Sequence, residues 1–148
     1  MDQLIFQQAT SSSDINACHS IRKKVFCEEQ NISKDIEFDN LDHLCEHFLI
    51  FKNQIPVATA RVRKKENYIY KVERVAVLIS QRRGKVGSFL IKKIISQYCK
   101  DNKDNKDNSI ILHSQVSVEN FYKNLNFNSY GNQFTEDGIL HIAMRYLS

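Results

Sequence analysis

Gln81-Arg82-Arg83-Gly84-Lys85-Val86-Gly87-Ser88 lies between an apolar, strand-like run that ends at Leu78 and a helix-like run that begins near Phe89. Two of the chain's four glycines fall inside it. Glycine lets the backbone turn tightly and approach a ligand without interference from a Cβ. The next helix opens with amides that lack an intrahelical partner and with the positive end of its dipole, which together make a seat for phosphate. Arg82, Arg83 and Lys85 add charge at the rim, and the arginine fork suits phosphate oxygens. The same residues also read as a glycine turn with a solvated basic flank. The spacing fits neither the phosphate loop of nucleotide hydrolases nor the three spaced glycines of a dinucleotide fold.

Working outward, Tyr68 to Leu78 is rich in Tyr, Val and Ile and predicts a central strand, while Leu90, Ile91, Ile94, Ile95 and Tyr98 form a helical stripe with Lys92 and Lys93 facing away. Leu4 to Gln8 reads as a first strand. Ser11 to Ser13 and Asp14 offer caps for a helix that runs to about Phe26. Cys27 to Glu46 is acidic and without period, so it is expected to be a loop with one more helical turn, overhanging the candidate site. His47 to Lys52 and Val57 to Arg63 predict a hairpin about Asn53-Gln54-Ile55-Pro56. Asp101 to Asn108, without an apolar side chain, is expected to be a mobile surface loop. Ile110 to His113 predicts a strand, Val118 to Leu125 a short helix, and Phe127 to Phe134 with Ile139 to Tyr146 a hairpin around Asp137-Gly138. The order predicts a mixed α/β sheet.

A chain of 148 residues with 42% hydrophobic side chains is expected to be one domain, residues 1–148. Its net charge of +4, from 21 basic and 17 acidic side chains, suits an anionic ligand but is too small and too mixed to argue for nucleic acid. Cys18, Cys27, Cys45 and Cys99 form no Cys-x-x-Cys pair and no zinc-like cluster, so no metal is expected and the thiols read as reduced. No signal-like start and no run of about eighteen apolar residues is present, so neither secretion nor a membrane is expected and a cytoplasmic location is.

With these blocks in view, the chain resembles the GNAT acetyltransferases along nearly its whole length. Gln81 and Gly84 match the family's Gln/Arg-x-x-Gly-x-Gly/Ala coenzyme A loop. Val86 stands where a small residue is usual, so either Gly87 replaces it or the loop is rearranged. Glu73-Arg74-Val75-Ala76-Val77-Leu78 resembles the fourth strand, and Ile111-Leu112-His113-Ser114-Gln115 with Asn120-Phe121-Tyr122 resembles the fifth strand and the helix after it. Val25-Phe26-Cys27-Glu28-Glu29-Gln30, Glu37-Phe38-Asp39-Asn40-Leu41-Asp42 and Glu136-Asp137-Gly138-Ile139 with His141 are similar to bacterial ElaA-like proteins and to glucosamine-phosphate N-acetyltransferases of some protozoan parasites.

The resemblance implies a GNAT fold: a mixed, mostly antiparallel twisted sheet of six to seven strands, about four helices, and strands four and five splayed apart. It implies acetyl-CoA as co-substrate, with the pantetheine amides along Val75, Ala76 and Val77, and the pyrophosphate on Gln81, Arg82, Arg83, Gly84, Lys85, Val86, Gly87 and Ser88. Gln115, Asn120 and Tyr122 are expected to complete that site. Catalysis is then mainly positioning of an amine against the thioester carbonyl. Glu73 is the foremost candidate for the base that deprotonates the amine, and it also reads as a strand-end carboxylate paired with Arg74 or Lys71. His141 and Glu29 are the next candidates, and His141 also reads as a substrate-binding residue. Tyr122 is the candidate acid for the leaving thiolate, or else a buried aromatic.

Alternation puts Arg61 and Arg63 on one face, where with Lys71 they would hold a phosphate on an amino sugar or form a solvated basic strand end. Glu28, Glu29 and Asp39 would instead suit a polyamine. Glucosamine 6-phosphate is the foremost acceptor. A polyamine, a protein lysine or N-terminus, and a non-catalytic acyl-CoA sensor are the alternatives. The sequence leaves the oligomeric state open, and a homodimer is one possible assembly, C2 pairing being the usual one for soluble chains.

Overall fold

The computed structural model describes residues 2–99 and 108–147, so residues 101–107 of the low-complexity stretch lie outside the described residues. Among the described residues seven strands form one sheet, in the order β1-β2-β3-β4-β5-β7-β6. These are β1 (Leu4–Ala9), β2 (Cys45–Lys52), β3 (Ile55–Glu66), β4 (Ile69–Val77), β5 (Ser109–Gln115), β6 (Phe127–Glu136) and β7 (Ile139–Tyr146). Neighbours run antiparallel except β4 and β5, which are parallel. Four α-helices accompany them: α1 (Ser12–Arg22), α2 (Lys34–Glu37), α3 (Val86–Tyr98) and α4 (Glu119–Lys123).

The sheet has a core on each face. Under α3, the stripe Val86, Leu90, Ile91, Ile94 and Tyr98 packs on Phe48, Ile50, Val62, Val72 and Leu112. Each fully buried aliphatic side chain of that stripe contributes about 1.5–3 kcal/mol. On the opposite face Cys18, Ile21, Val25 and Phe26 cover Ala9, Leu49 and Ala76.

The first helix runs further than its periodicity suggests. After Arg22 it widens into a π-helical stretch, Lys23–Glu29, so Cys27 to Glu29 are helical instead of loop. The single turn expected further on is α2, capped by Ser33. The β2–β3 hairpin turns on Asn53 and Gln54, with φ of 50° and 72°, a geometry that matches strand twist. Pro56 sits beside a register shift between Ile50 and Phe51, where a missing amide is tolerated.

Two irregularities in β4 open the middle of the sheet. Pairing with β5 covers Ile69↔Ser109 to Val72↔Leu112 and then stops, although β4 continues to Val77 and β5 to Gln115. Against β3, Arg61 pairs with Glu73 and Thr59 with Ala76, so Arg74 and Val75 together face Ala60. That β-bulge holds Arg74 at φ 55° and bends the strand away from its neighbour.

Candidate functional site

Where β4 and β5 part, a cavity of about 710 Å³ opens. One end is bounded by the bulged half of β4 and by Gln81 to Gly84 and Gly87 of the loop. Helix α3 begins there with Lys85 as an uncapped N-cap, and its first intrahelical acceptor is the Lys85 carbonyl, taken by Phe89 at 2.8 Å. The amides of Val86, Gly87 and Ser88 thus fall in the turn that has no intrahelical partner.

The loop achieves this differently from the glycine reading. Its left-handed residue is Arg83, at φ 65°, whereas Gly84 has no positive φ and an added Cβ would meet only the Gln81 carbonyl, at an ordinary 3.9 Å. Gly87 is small for packing: a Cβ there would lie 3.3 Å from Phe121 and 3.7 Å from Val77. Val86 points into the core, so its bulk stays clear of the loop's outer face. Lys52 Nζ donates to Gln81 Oε1 at 2.9 Å. Arg82 is committed elsewhere. Its two terminal nitrogens donate to Glu29 at 2.6 and 2.7 Å and its Nε donates to the Val77 carbonyl at 3.0 Å. This bond from Arg82 holds the Glu29 carboxyl below its ordinary range.

The roof comes from the acidic segment, through Ile32, Ile36, Glu37, Asp39 and Leu41. Three arginines fasten it, Arg22 from the end of α1 and Arg61 and Arg74 from the sheet. Arg22 donates to Glu37 and Asp42 at 2.8 Å each, and Arg74 contacts Glu37 at 3.0 Å and Asp39 at 3.2 Å. Arg61 reaches Asp39, Asp42 and Glu73 at 2.8–3.0 Å. Burial pushes the Glu37 carboxyl up, against the pull of Arg74 and Arg22. The Arg61 hydrogen bond holds Asp39 well below its usual range. Gln115 Nε2 bridges from β5 to Gln30 in the roof at 3.0 Å.

The other end is charged. Glu73 lies within 2.9 Å of both Arg61 and Arg63 and 3.4 Å from Lys71. Burial raises its carboxyl, but Arg61, Lys71 and Arg63 outweigh that and hold it below the usual value. Its partners are thus Arg61, Arg63 and Lys71, whereas Arg74 turns to the roof. Arg61 spends its donors on three carboxylates, whereas Arg63 Nε is buried with no hydrogen-bond partner. His141 and His113 converge here on Glu136. Tyr122 is buried with its ring edge-on to Phe121 and Phe127. Its hydroxyl has no partner among the described residues, and burial alone drives it well above an ordinary phenol.

Of the residues singled out in the sequence, this cavity is lined by Glu73, Tyr122, His141, Arg61, Arg63, Lys71, Val75, Ala76, Val77, Gln81, Arg82, Arg83, Gly84, Gly87 and Gln115. Lys85, Val86, Ser88, Asn120 and Glu29 stand outside its lining. His113 and Glu136, quoted in the sequence only within matching blocks and given no role in the site, reach it because β6 and β7 fold back beside β5. Among the described residues no group of His, Cys, Asp and Glu is arranged to hold a metal, and no helix is long and apolar enough to cross a membrane.

Comparison with known proteins agrees with this geometry. Residues 14–148 match the acetyltransferase (GNAT) domain. The chain is similar to ElaA of Escherichia coli K12, 34% identical over 137 residues that span 90% of this chain and 88% of that protein. The crystal structure of Escherichia coli ElaA superposes with a TM-score of 0.80, covering 99% of this chain and all of that one (100%). The N-acetyltransferase YjcF of Bacillus subtilis, itself uncharacterized, is 30% identical over 92% of this chain and 94% of its own length. A GNAT acetyltransferase from Elizabethkingia anophelis, solved with acetyl-CoA bound, shares the fold at a TM-score of 0.72 and 13% identity, over 97% of each chain. With its family domain matched over most of its length and its β4–β5 cleft in place, the chain belongs to the GNAT acetyltransferase family.

Proposed function

We propose that the chain transfers the acetyl group of acetyl-CoA to the primary amine of a small molecule, and that the acceptor is glucosamine 6-phosphate. The observation that carries the reading is the parting of β4 and β5 beyond Val72 and Leu112, with an uncapped helix N-terminus at one end of the opening and a charged pocket at the other. The loop and the start of α3 fit a diphosphate, and the free edges of β4 and β5 fit the amides of pantetheine. That the Elizabethkingia anophelis acetyltransferase, which shares this fold, was solved with acetyl-CoA bound supports the choice of thioester.

Within this reading Arg63 and Lys71 hold the phosphate of the sugar. Arg63 Nε is buried and unpartnered, and both side chains line the charged end. Arg61 supports them from behind, because its donors are already taken by Asp39, Asp42 and Glu73. Two of the carboxylates that the sequence offers a polyamine are occupied, Glu29 by Arg82 and Asp39 by Arg61 and Arg74. Glu73 or His141 takes the proton of the acceptor ammonium. Backbone amides near Val75 to Val77 polarise the thioester carbonyl, and the amine nitrogen forms its bond to that carbon. As the carbon–sulfur bond breaks, Tyr122 gives its proton to sulfur and recovers one from the new amide nitrogen. The protein works in the cytoplasm as a homodimer in this reading, and its cysteines are free.

A thiol-release assay with glucosamine 6-phosphate, spermidine and a lysine peptide tests the acceptor, with turnover of the sugar phosphate expected to exceed the others. No release with the sugar phosphate discards it. Failure of millimolar acetyl-CoA to raise the melting temperature, or binding without release across all three amines, discards the transfer reaction itself.

A further inference from the structure

His141, on β7, is buried, and its Nδ1 lies 2.7 Å from the Ile139 carbonyl. A carbonyl can only accept, so Nδ1 carries the proton and donates it, which leaves the lone pair of the neutral imidazole on Nε2. Nε2 makes no hydrogen bond among the described residues and faces Glu136 Oε2 at 3.8 Å. The other oxygen of that carboxylate, Oε1, is held by His113 Nδ1 at 3.2 Å. Two acceptors therefore converge at a separation too long for a hydrogen bond, and neither has a proton to offer the other. Phe134 braces the pair, stacked on His141 with centroids 6.0 Å apart and edge-on to His113 at 5.0 Å. Both acceptors line the cavity at its charged end.

A group with several N–H bonds spread in a fan satisfies both atoms at once, and a primary ammonium has three. A hydroxyl has one and no charge to offer the carboxylate. We propose that Glu136 Oε2 and His141 Nε2 together seat the acceptor's primary ammonium, and that His141 Nε2 is the atom that takes its proton. This rests on the acetyl-transfer reading above and chooses between its two bases. One ammonium N–H bond breaks with its electron pair left on nitrogen, and the proton adds to the Nε2 lone pair. The imidazolium so formed stands beside the Glu136 carboxylate. That carboxylate offsets the cations facing the same space, Lys71 from β4 and Arg63 from β3, while Glu73, His113 and Asp137 complete the charged surroundings. The amine's freed pair then attacks the thioester carbonyl.

The test compares wild type, Glu136→Gln and His141→Gln with glucosamine 6-phosphate and with spermidine as amines. Glu136→Gln is expected to raise the amine KM about tenfold or more with a smaller change in kcat, and His141→Gln to lower kcat about a hundredfold. Acetyl-CoA affinity stays within about twofold in both, because neither residue touches the loop end. An unchanged amine KM in Glu136→Gln overturns the seat. A second arm needs no turnover: imidazole 15N spectra are recorded with glucosamine 6-phosphate, glucose 6-phosphate and spermidine. The Nδ1–H tautomer is expected for His141, with a response to at least one amine, none to glucose 6-phosphate, and loss of the response in Glu136→Gln. An Nε2–H tautomer, an equal response to both sugars or no response to either amine overturns the proposal. Absence of thiol release in wild type sinks the transfer reading, and the spectra still judge the seat.

Discussion

Arg61 donates through Nε to Glu73 Oε2 at 2.9 Å, across the last β3–β4 pair before the strand bulges. The same guanidinium holds Asp39 and Asp42, so one buried side chain joins the sheet to the roof of the cavity. Removing a partner from a buried ion network leaves charges without compensation, which costs about 3–5 kcal/mol. Arg61→Ala is expected to lose that much in urea denaturation. A loss under about 1 kcal/mol would show that the roof is held by other means.

Acid should loosen the same network. Asp39, Asp42 and Glu73 all sit below their ordinary values. The unfolded chain, with carboxyls near 4, binds protons that the folded chain refuses, so their stabilisation is complete above that pH and is lost as pH falls through the folded values. Glu37, pushed up by burial, acts in the opposite sense: its contribution is present below its ordinary value and is lost as pH rises through the raised folded value. Three groups oppose one, so the melting temperature is expected to drop on going from about pH 6 to about pH 3, and to drop less in Arg61→Ala. A flat or rising profile by circular dichroism contradicts this account.

The two loop glycines should behave unequally. Gly84 has an ordinary φ and no heavy atom nearer to an added Cβ than the Gln81 carbonyl at 3.9 Å, so Gly84→Ala should change stability by less than about 0.5 kcal/mol. At Gly87 a branched side chain meets Phe121 and Val77, and Gly87→Val should cost about 1–3 kcal/mol and weaken acetyl-CoA binding. Thermal melts with and without acetyl-CoA check both, and equal effects would refute the packing role of Gly87.

Tyr122→Phe keeps the ring contacts with Phe121 and Phe127 and removes only a hydroxyl that has no partner among the described residues. Stability should stay within about 1 kcal/mol while turnover falls about a hundredfold. Wild-type turnover in this variant would reduce Tyr122 to a packing residue.

Glu73→Gln separates two roles for a carboxylate held by three cations. With His141 as the base, Glu73→Gln is expected to keep the shape of the pH–rate profile and to lower the melting point, because Glu73 holds Arg61, Arg63 and Lys71 in place. Loss of the acid limb of that profile, with acetyl-CoA affinity little changed, would make Glu73 the base instead.

Local patterns were readable in the chain. The α3 stripe announces itself by spacing, and Asp137-Gly138 predicts its hairpin because both residues take positive φ, 54° and 76°. What escaped depends on partners distant in sequence. The bulge at Arg74 exists only relative to β3, and a left-handed arginine carries no compositional mark. Arg83 likewise takes the strained position beside a glycine that does not need it. His113 and Glu136 stand 23 residues apart and meet through β7, which neither spacing nor residue type reveals. The resemblance did point to the strands that part, because it carries a whole topology and not a local propensity.

The seam between β4 and β5 beyond Val72 leaves two inner strand margins without each other in the middle of the sheet. A guest that lays its own peptide-like groups along those margins completes the fold, as a borrowed strand would. Whatever binds the folded chain alone stabilises it against unfolding and proteases, by an amount that rises with the logarithm of its concentration once that exceeds the dissociation constant. Cells short of the thioester would therefore keep fewer of these molecules, and abundance would follow metabolic state with no dedicated regulator.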